Sequence, residues 1–251
     1  MAPRKPWVGG NFKCNGTKSF LETHAEALNK AEWDPAAVDV VLCPVAMHIP
    51  LCMDKFKKDF IICTQNVSKT GNGAYTGEIS VDMIKDMGLS WTLIGHSERR
   101  SYYGETDEVV ADKVEACQKG GINAAVCIGE VLEEREGGKT EEVVKKQVEA
   151  FIPKVTDWSK IVIAYEPVWA IGTGKVATPE QAQDTHACIR KLIKEKCGDA
   201  VAAAVRIVYG GSVSDSNCVG LFANEDIDGF LVGGASLKPA FIPVIDSAKA
   251  K

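Results

Sequence analysis

The stretch IVIAYEPVWAIGTGK, residues 161–175, joins a predicted strand to a glycine-rich loop. Its first five residues form a β-branched run that is typical of a strand buried on both faces of a parallel sheet. Pro167 ends the strand because its ring fixes φ and it lacks an N–H, so Glu166 is predicted at the strand's carboxyl end. The loop combines bulky apolar residues with glycines that let the backbone approach an anion, a composition suited to a closing lid. The predicted lid segment comprises Pro167, Val168, Trp169, Ala170, Ile171, Gly172, Thr173, Gly174, Lys175 and Val176.

The same succession of strand and helix recurs along the whole chain. The predicted strands are residues 7–11, 38–43, 60–65, 91–95, 122–128, 161–165, 206–209 and 229–232. The predicted helices are residues 17–31, 49–56, 79–87, 105–118, 140–153, 178–197, 215–222 and 238–247. Thr17 and Thr178 are predicted N-caps, and Pro179 suits the first helical position after Thr178.

Strict alternation of this kind predicts a parallel sheet with right-handed crossovers, either closed into a barrel or open and doubly wound. Eight such units occupy 251 residues, and no low-complexity linker separates them. We therefore expect the sheet to close into a barrel. The prediction is an α/β fold with one domain, residues 1–251, built as a single (β/α)8 barrel with eight parallel strands.

Composition limits the classes of partner. A net charge of −5 and a pI near 5.5 argue against nucleic acid and against an anionic membrane as partners. No run reaches the roughly 18 apolar residues of a membrane span, and no signal peptide is recognisable, so a cytoplasmic protein is expected. Nine cysteines without a Cys-x-x-Cys pair predict reduced, mostly structural thiols. No zinc-ligand spacing, Walker motif or dinucleotide fingerprint is complete, so neither a metal nor a cofactor is predicted.

Polar residues with chemical potential follow the predicted strands. They are Asn11 and Lys13, His96 to Arg100, Glu130, Glu166, Gly210 to Ser212, and Gly233 with Gly234. In a barrel these positions converge on the face where barrel enzymes build their active sites. Convergence from many strand ends is stronger support for a site than any one residue.

Each of these residues also has an ordinary structural interpretation. Lys13 could equally be a solvated surface lysine, which is the usual state of lysine. His96 begins a predicted helical turn, where the positive end of the helix dipole disfavours an imidazolium and a neutral ring could donate a hydrogen bond. The glycine doublets Gly210–Gly211 and Gly233–Gly234 follow late strands, where barrels frequently bind phosphate through backbone N–H groups.

Five segments resemble, in order, the signature segments of the triosephosphate isomerase family. They are GGNFKCNGT at 9–17, IGHSERR at 94–100, AYEPVWAIGTGK at 164–175, YGGSV at 209–213 and LVGGASL at 231–237. The resemblance covers essentially the whole chain. Phe12 departs from it, since many members carry tryptophan there, and this difference affects only local packing.

The resemblance implies a TIM-barrel enzyme without a cofactor that interconverts dihydroxyacetone phosphate and D-glyceraldehyde 3-phosphate through an enediolate. It implies that Glu166 is the base, that neutral His96 polarises the carbonyl and relays protons, and that Lys13 stabilises negative charge. The substrate-binding residues that it implies are Asn11, Lys13, Gly172, Ser212, Leu231, Gly233 and Gly234.

The resemblance also implies a homodimer. The long polar loop at residues 65–80 would carry Thr76 toward the partner's active site, and Cys14 would lie under the partner's loop. Two other functions stay open from the residues alone. A phosphosugar aldolase of the Schiff-base type would need a desolvated lysine within a strand, whereas Lys13 lies past a strand end. A non-catalytic binding barrel would have no need of a carboxylate under a lid.

Overall fold

One parallel sheet of eight strands forms the centre of the molecule. The computed structural model describes residues 4–171 and 177–250. The strands are β1 (Trp7–Asn11), β2 (Asp39–Cys43), β3 (Ile61–Ile62), β4 (Trp91–Ile94), β5 (Asn123–Ile128), β6 (Ile161–Tyr165), β7 (Arg206–Tyr209) and β8 (Gly229–Val232). Their order in the sheet is β3-β2-β1-β8-β7-β6-β5-β4, and all neighbouring pairs are parallel.

The two edges of this sheet, β3 and β4, meet just beyond β3. Thr64 forms an isolated parallel bridge with Thr92. The Thr64 N–H donates to the Trp91 carbonyl at 3.1 Å, and the Leu93 N–H donates to the Thr64 carbonyl at 2.8 Å. The prediction of a barrel is therefore confirmed, and the open doubly wound alternative is excluded.

Helices connect the strands. Within the described residues they are α1 (Lys18–Leu28), α2 (Ile49–Lys55), α3 (Val81–Asp86), α4 (Ser97–Tyr103), α5 (Asp107–Gly120), α6 (Leu132–Glu136), α7 (Thr140–Phe151), α8 (Pro179–Cys197), α9 (Asp199–Ala204), α10 (Cys218–Phe222) and α11 (Phe241–Ser247). Short 3₁₀ turns include Val168–Ala170 and Gly234–Leu237. No helix in this part of the chain is both long and apolar enough to cross a membrane.

Both predicted N-caps are confirmed by their hydrogen bonds. The Thr17 hydroxyl accepts from the Phe20 N–H at 3.2 Å. The Thr178 hydroxyl accepts from the Gln181 N–H at 3.2 Å, and the Gln181 side chain accepts in return from the Thr178 N–H at 3.1 Å. This reciprocal pair fixes where α8 begins after the lid segment.

The prediction for β3 was wrong in extent. Residues 60–65 read as a six-residue strand, but regular pairing is confined to Ile61–Ile62. The chain then leaves β2, because Cys63 still donates to Leu42 whereas Thr64 pairs with β4. Two further helices, α6 and α9, were not predicted, and α9 is the alanine-rich stretch after Gly198. The other predicted boundaries differ from the observed ones by at most three residues, as is usual at element ends.

The apolar core has two layers. Strand residues that face outward pack against the helices, and a smaller group fills the barrel interior. In that interior the Trp7 and Trp91 rings lie 5.8 Å apart, and a Cβ added to Gly9 would overlap the Trp7 ring. Cys63 and Cys127 are buried there as small apolar groups, and all nine cysteines are unpaired. The filled interior leaves the carboxyl ends of the strands as the place for a cavity.

Candidate active site

Glu166 directly follows β6 and is 2% exposed. One carboxylate oxygen, Oε1, lies 3.0 Å from His96 Nε2, and the other, Oε2, accepts from the Ser97 N–H at 3.1 Å. The backbone around Glu166 is held just as closely. Its N–H donates to the Ile128 carbonyl at 2.7 Å, and a Cβ at Gly129, whose φ is 156°, would overlap the Glu166 carbonyl oxygen. The position of this carboxylate is therefore set by residues at or just beyond the carboxyl ends of β4 and β5.

His96 is the N-cap of α4 and is 5% exposed. Its Nδ1 accepts from the Glu98 N–H at 3.2 Å, so Nδ1 carries no proton in this bond. The proton of the neutral ring is then on Nε2, which faces Glu166. Burial by itself lowers the pKa of His96, but the adjacent Glu166 carboxylate outweighs it and raises the pKa above its usual value.

The same contact acts in the opposite sense on the carboxyl group. Burial raises the pKa of Glu166, but the contact with His96 and the Ser97 N–H outweigh burial and lower it. Glu166 is therefore ionised at neutral pH and can act as a base.

Lys13 has a left-handed backbone, with φ at 52°, which is uncommon for a residue with a side chain. Two hydrogen bonds hold it there. The Lys13 N–H donates to Asn11 Oδ1 at 2.9 Å, and Gln65 Nε2 donates to the Lys13 carbonyl at 2.8 Å. Its ammonium lies 2.7 Å from Glu98 Oε1. This backbone conformation and the ion pair explain how a lysine beyond the end of β1 is directed back over the barrel.

A cavity of about 620 Å³ opens over the carboxyl ends of the strands. It brings together every predicted catalytic and substrate-binding residue that the structure describes. These are Asn11, Lys13, His96, Glu166, Ser212, Leu231, Gly233 and Gly234. Ile171 of the lid segment also lines it, after the 3₁₀ turn Val168–Ala170. The rest of the predicted lid, Gly172, Thr173, Gly174, Lys175 and Val176, lies outside the described residues.

Sequence reasoning missed Gln65 and the contacts by which Ser97, Glu98 and Glu130 hold the site together. Glu98 and Ser97 lie in the first turn of α4, whose free backbone N–H groups and acidic residue were a usable signal. Gln65 had no such signal, because its partners come from distant strands. Glu130 was noted as a residue at a strand end, but not for its fully buried Oε1, which accepts from Tyr165 OH at 3.1 Å and Trp169 Nε1 at 2.9 Å. These two bonds link Glu130 to β6 and to the beginning of the lid segment.

The residues predicted at an interface lie beside this site rather than in it. Cys14 is exposed and lines a second cavity, of about 340 Å³, together with Lys13, Gln65 and Glu98. Thr76 is exposed on the long loop after β3 and lines neither cavity. Across residues 4–171 and 177–250, no three His, Cys, Asp or Glu side chains are grouped so that they could hold a metal ion.

A (β/α)8 barrel that directs a buried carboxylate, a histidine and a lysine into one cavity defines the class of barrel enzymes with acid–base chemistry. Comparison with known proteins narrows this class. The family model of triosephosphate isomerase matches residues 6–248, and this chain therefore belongs to the triosephosphate isomerase family.

Curated relatives agree with this assignment, and each of those described here is named triosephosphate isomerase. The relative from Paracoccidioides lutzii is 51% identical over 98% of this chain and 99% of its own length. The relative from Saccharomyces cerevisiae is 50% identical over 96% of this chain and 97% of its own length. The relative from Aspergillus oryzae is 51% identical over 98% of this chain and 99% of its own length.

Proposed function

We propose that this chain interconverts dihydroxyacetone phosphate and D-glyceraldehyde 3-phosphate by proton transfer through an enediolate, a step of glycolysis and gluconeogenesis. The observation that carries the proposal is the contact of Glu166 with His96, 3.0 Å apart in the cavity that Lys13 also lines. A base, a hydrogen-bond donor and a fixed positive charge are what proton abstraction next to a carbonyl requires.

Glu166 is the base in this mechanism. Its carboxylate is held by His96 Nε2 and the Ser97 N–H, so it must turn away from both to reach a substrate carbon. It then removes the proton next to the carbonyl and returns it to the neighbouring carbon. Ile171 and Leu231 border the same cavity and would exclude water from the carboxylate, which increases its basicity.

His96 is the group that polarises the carbonyl and moves protons between the two substrate oxygens. When Glu166 turns to the substrate, His96 loses the main interaction that raises its pKa. Burial, the largest influence on the ring, then lowers the pKa together with the charge of Lys13, against the weaker opposing effect of Glu98. The ring is neutral in that state and donates from Nε2, because Nδ1 still accepts from Glu98. Lys13 stabilises the negative charge that develops on the oxygens, and Asn11 adds a donor.

The phosphate is bound by backbone N–H groups in this proposal, at Gly172, Ser212, Gly233 and Gly234. The last three border the described cavity, at the carboxyl ends of β7 and β8. That is where barrels commonly bind phosphate. All the chemistry is proton transfer and electrostatic stabilisation, so no cofactor and no metal are needed.

A coupled isomerase assay with purified protein in both directions tests the proposal. In deuterated water, the wild type should incorporate deuterium at the carbon next to the carbonyl as it forms product. Glu166→Gln should abolish both signals, whereas the matched surface variant Glu195→Gln on α8 should retain them. Aldol cleavage without isomerisation would favour the aldolase alternative. Binding of triose phosphate without turnover would favour the non-catalytic barrel.

The proposal also covers the domain organisation, the oligomeric state and the cellular location of the protein. We propose one domain over residues 1–251, a homodimer and a cytoplasmic location. Membership of the triosephosphate isomerase family supports the last of these. Exposed Tyr103 lines the second cavity, and exposed Met47 and Tyr102 directly adjoin lining residues in the chain, which supports the dimer because large exposed apolar side chains commonly mark an interface. Sedimentation at micromolar concentration is the check, and a fully active monomer would contradict the dimer.

A further inference from the structure

His24 is a buried histidine of α1 that has no part in the proposed mechanism. It is 4% exposed, and its Nε2 lies 2.8 Å from the carbonyl oxygen of Ser236, which is 212 residues away in the chain. A carbonyl oxygen can only accept a hydrogen bond, so Nε2 carries the proton and donates. Burial lowers the pKa of His24, which favours the neutral ring.

Aromatic neighbours hold the His24 ring in one orientation. It is stacked on Phe20, with ring centroids 5.2 Å apart and planes at 18°, and it meets Phe12 and Phe56 edge-on at 5.6 and 6.2 Å. An apolar side chain would be sufficient to fill a site of this kind. The polar Nε2–H is needed only for the Ser236 carbonyl, and its direction is set by the three rings.

Ser236 belongs to the 3₁₀ turn Gly234–Leu237, which directly follows Gly233. Its N–H and its hydroxyl both donate to the Gly233 carbonyl, at 2.9 and 2.7 Å. The turn is also pressed against β1, because a Cβ at Gly10 would lie 2.9 Å from Ser236 Cβ. A shift of Ser236 would therefore be transmitted directly to Gly233.

Gly233 in turn lies close to Lys13, since a Cβ added there would be 3.3 Å from Lys13 Cε. The placement of this turn thus decides how the backbone N–H groups of Gly233 and Gly234 are directed relative to the charged lysine. Small errors in such placement are costly, because preorganised donors act only at hydrogen-bond distance.

We propose that His24 is a positioning residue for phosphate binding: its Nε2–H fixes the Ser236 carbonyl and so holds Gly233 and Gly234 in place for the phosphate of the substrate. This inference rests on the proposed function, because it assumes that these two glycines bind that phosphate. His24 does not contact the substrate, and it acts through Ser236.

Three variants separate the hydrogen bond from packing. His24→Leu keeps an apolar side chain but removes the donor. His24→Asn keeps an amide on a shorter side chain that does not reach Ser236, whereas His24→Gln can place an amide N–H near the position of Nε2. A matched control is Leu28→Val, a buried change one turn further along α1 that leaves the hydrogen bond intact.

The measurements are KM for dihydroxyacetone phosphate, the inhibition constant of inorganic phosphate, kcat/KM for unphosphorylated D-glyceraldehyde, and the urea midpoint. His24→Leu and His24→Asn should weaken both phosphate-dependent constants about tenfold, which is about 1.4 kcal/mol. They should leave kcat/KM for glyceraldehyde within about twofold, a split that general loss of stability would not produce. His24→Gln should restore phosphate binding, and Leu28→Val should lower only the urea midpoint.

Unchanged phosphate affinity in folded His24→Leu and His24→Asn would overturn the inference. An equal loss for both substrates would also overturn it, because His24 would then act on the fold as a whole. If His24→Leu does not fold, the comparison of His24→Asn with His24→Gln decides in the same way. A wild-type protein without isomerase activity would instead refute the proposed function, so the two failures are distinguishable.

Discussion

Replacing Glu166 by aspartate withdraws the carboxylate by one methylene, about 1.5 Å, and leaves its charge in place. The site gives little room to compensate, because the side chain is buried and Gly210 packs against it, with a would-be Cβ 2.8 Å from Glu166 Cγ. The contact with His96 Nε2, 3.0 Å in the native protein, would lengthen beyond hydrogen-bond distance. The distance from the carboxylate to the substrate carbon would grow by a similar amount.

Misplacement by 1 Å can cost about 10²-fold in rate, so we expect kcat for Glu166→Asp to fall about 10²- to 10³-fold, which is about 2.7–4.1 kcal/mol in the barrier. KM should change less than about threefold, because the phosphate and Lys13 contacts are retained. Initial rates in a coupled assay over a range of dihydroxyacetone phosphate concentrations give both constants. Glu195→Asp, the same change at an exposed position of α8, should leave both unaltered. A loss in kcat of less than about tenfold in a folded Glu166→Asp protein would refute Glu166 as the base.

Three further predictions address charge, pH and packing. Lys13→Met keeps the apolar stem but removes the ammonium, so kcat/KM should fall by about 10²-fold or more, whereas the exposed control Lys18→Met should be silent in the same assay. Burial lowers the pKa of His186 to about 4, so between pH 6.5 and 4 the unfolded chain binds more protons and the free energy of unfolding should fall as pH falls, by up to about 3 kcal/mol. His186→Asn keeps a donor for the Asp226 carbonyl but does not titrate, so its urea midpoint should fall less steeply over that range, and parallel slopes would contradict this reasoning. Trp7→Ala should lower the free energy of unfolding by about 3–5 kcal/mol, measured by urea titration, and a loss below about 1 kcal/mol would mean that Trp7 does not fill the barrel interior as the structure indicates.

The local elements could be predicted because their causes are local. β6 and β8 have the predicted bounds, since a short apolar run closely followed by proline or glycine needs no distant partner to be recognised. The same holds for the start of α8, where Thr178 and Gln181 cap each other within four residues. The predicted length of β3 was wrong because its cause is not local. Its residues favour a strand, but whether they pair is decided by two neighbours that the chain reaches at other points.

Alternation along the chain was enough to predict a parallel barrel and to place the polar residues after strands, because successive βα units with parallel strands put all carboxyl ends on one face. The alternation of strands and helices could not predict which side chains contact one another. Glu166 meets the Ser97 N–H across 69 residues, Lys13 meets Glu98 across 85, and His24 meets Ser236 across 212. These distances depend on the register of each strand pair and on the closure at Thr64 and Thr92, and periodicity carries no information about either. The sequence therefore determined which residues face the cavity, and only the tertiary structure decided which of them touch, because contact between distant residues is a property of the closed sheet.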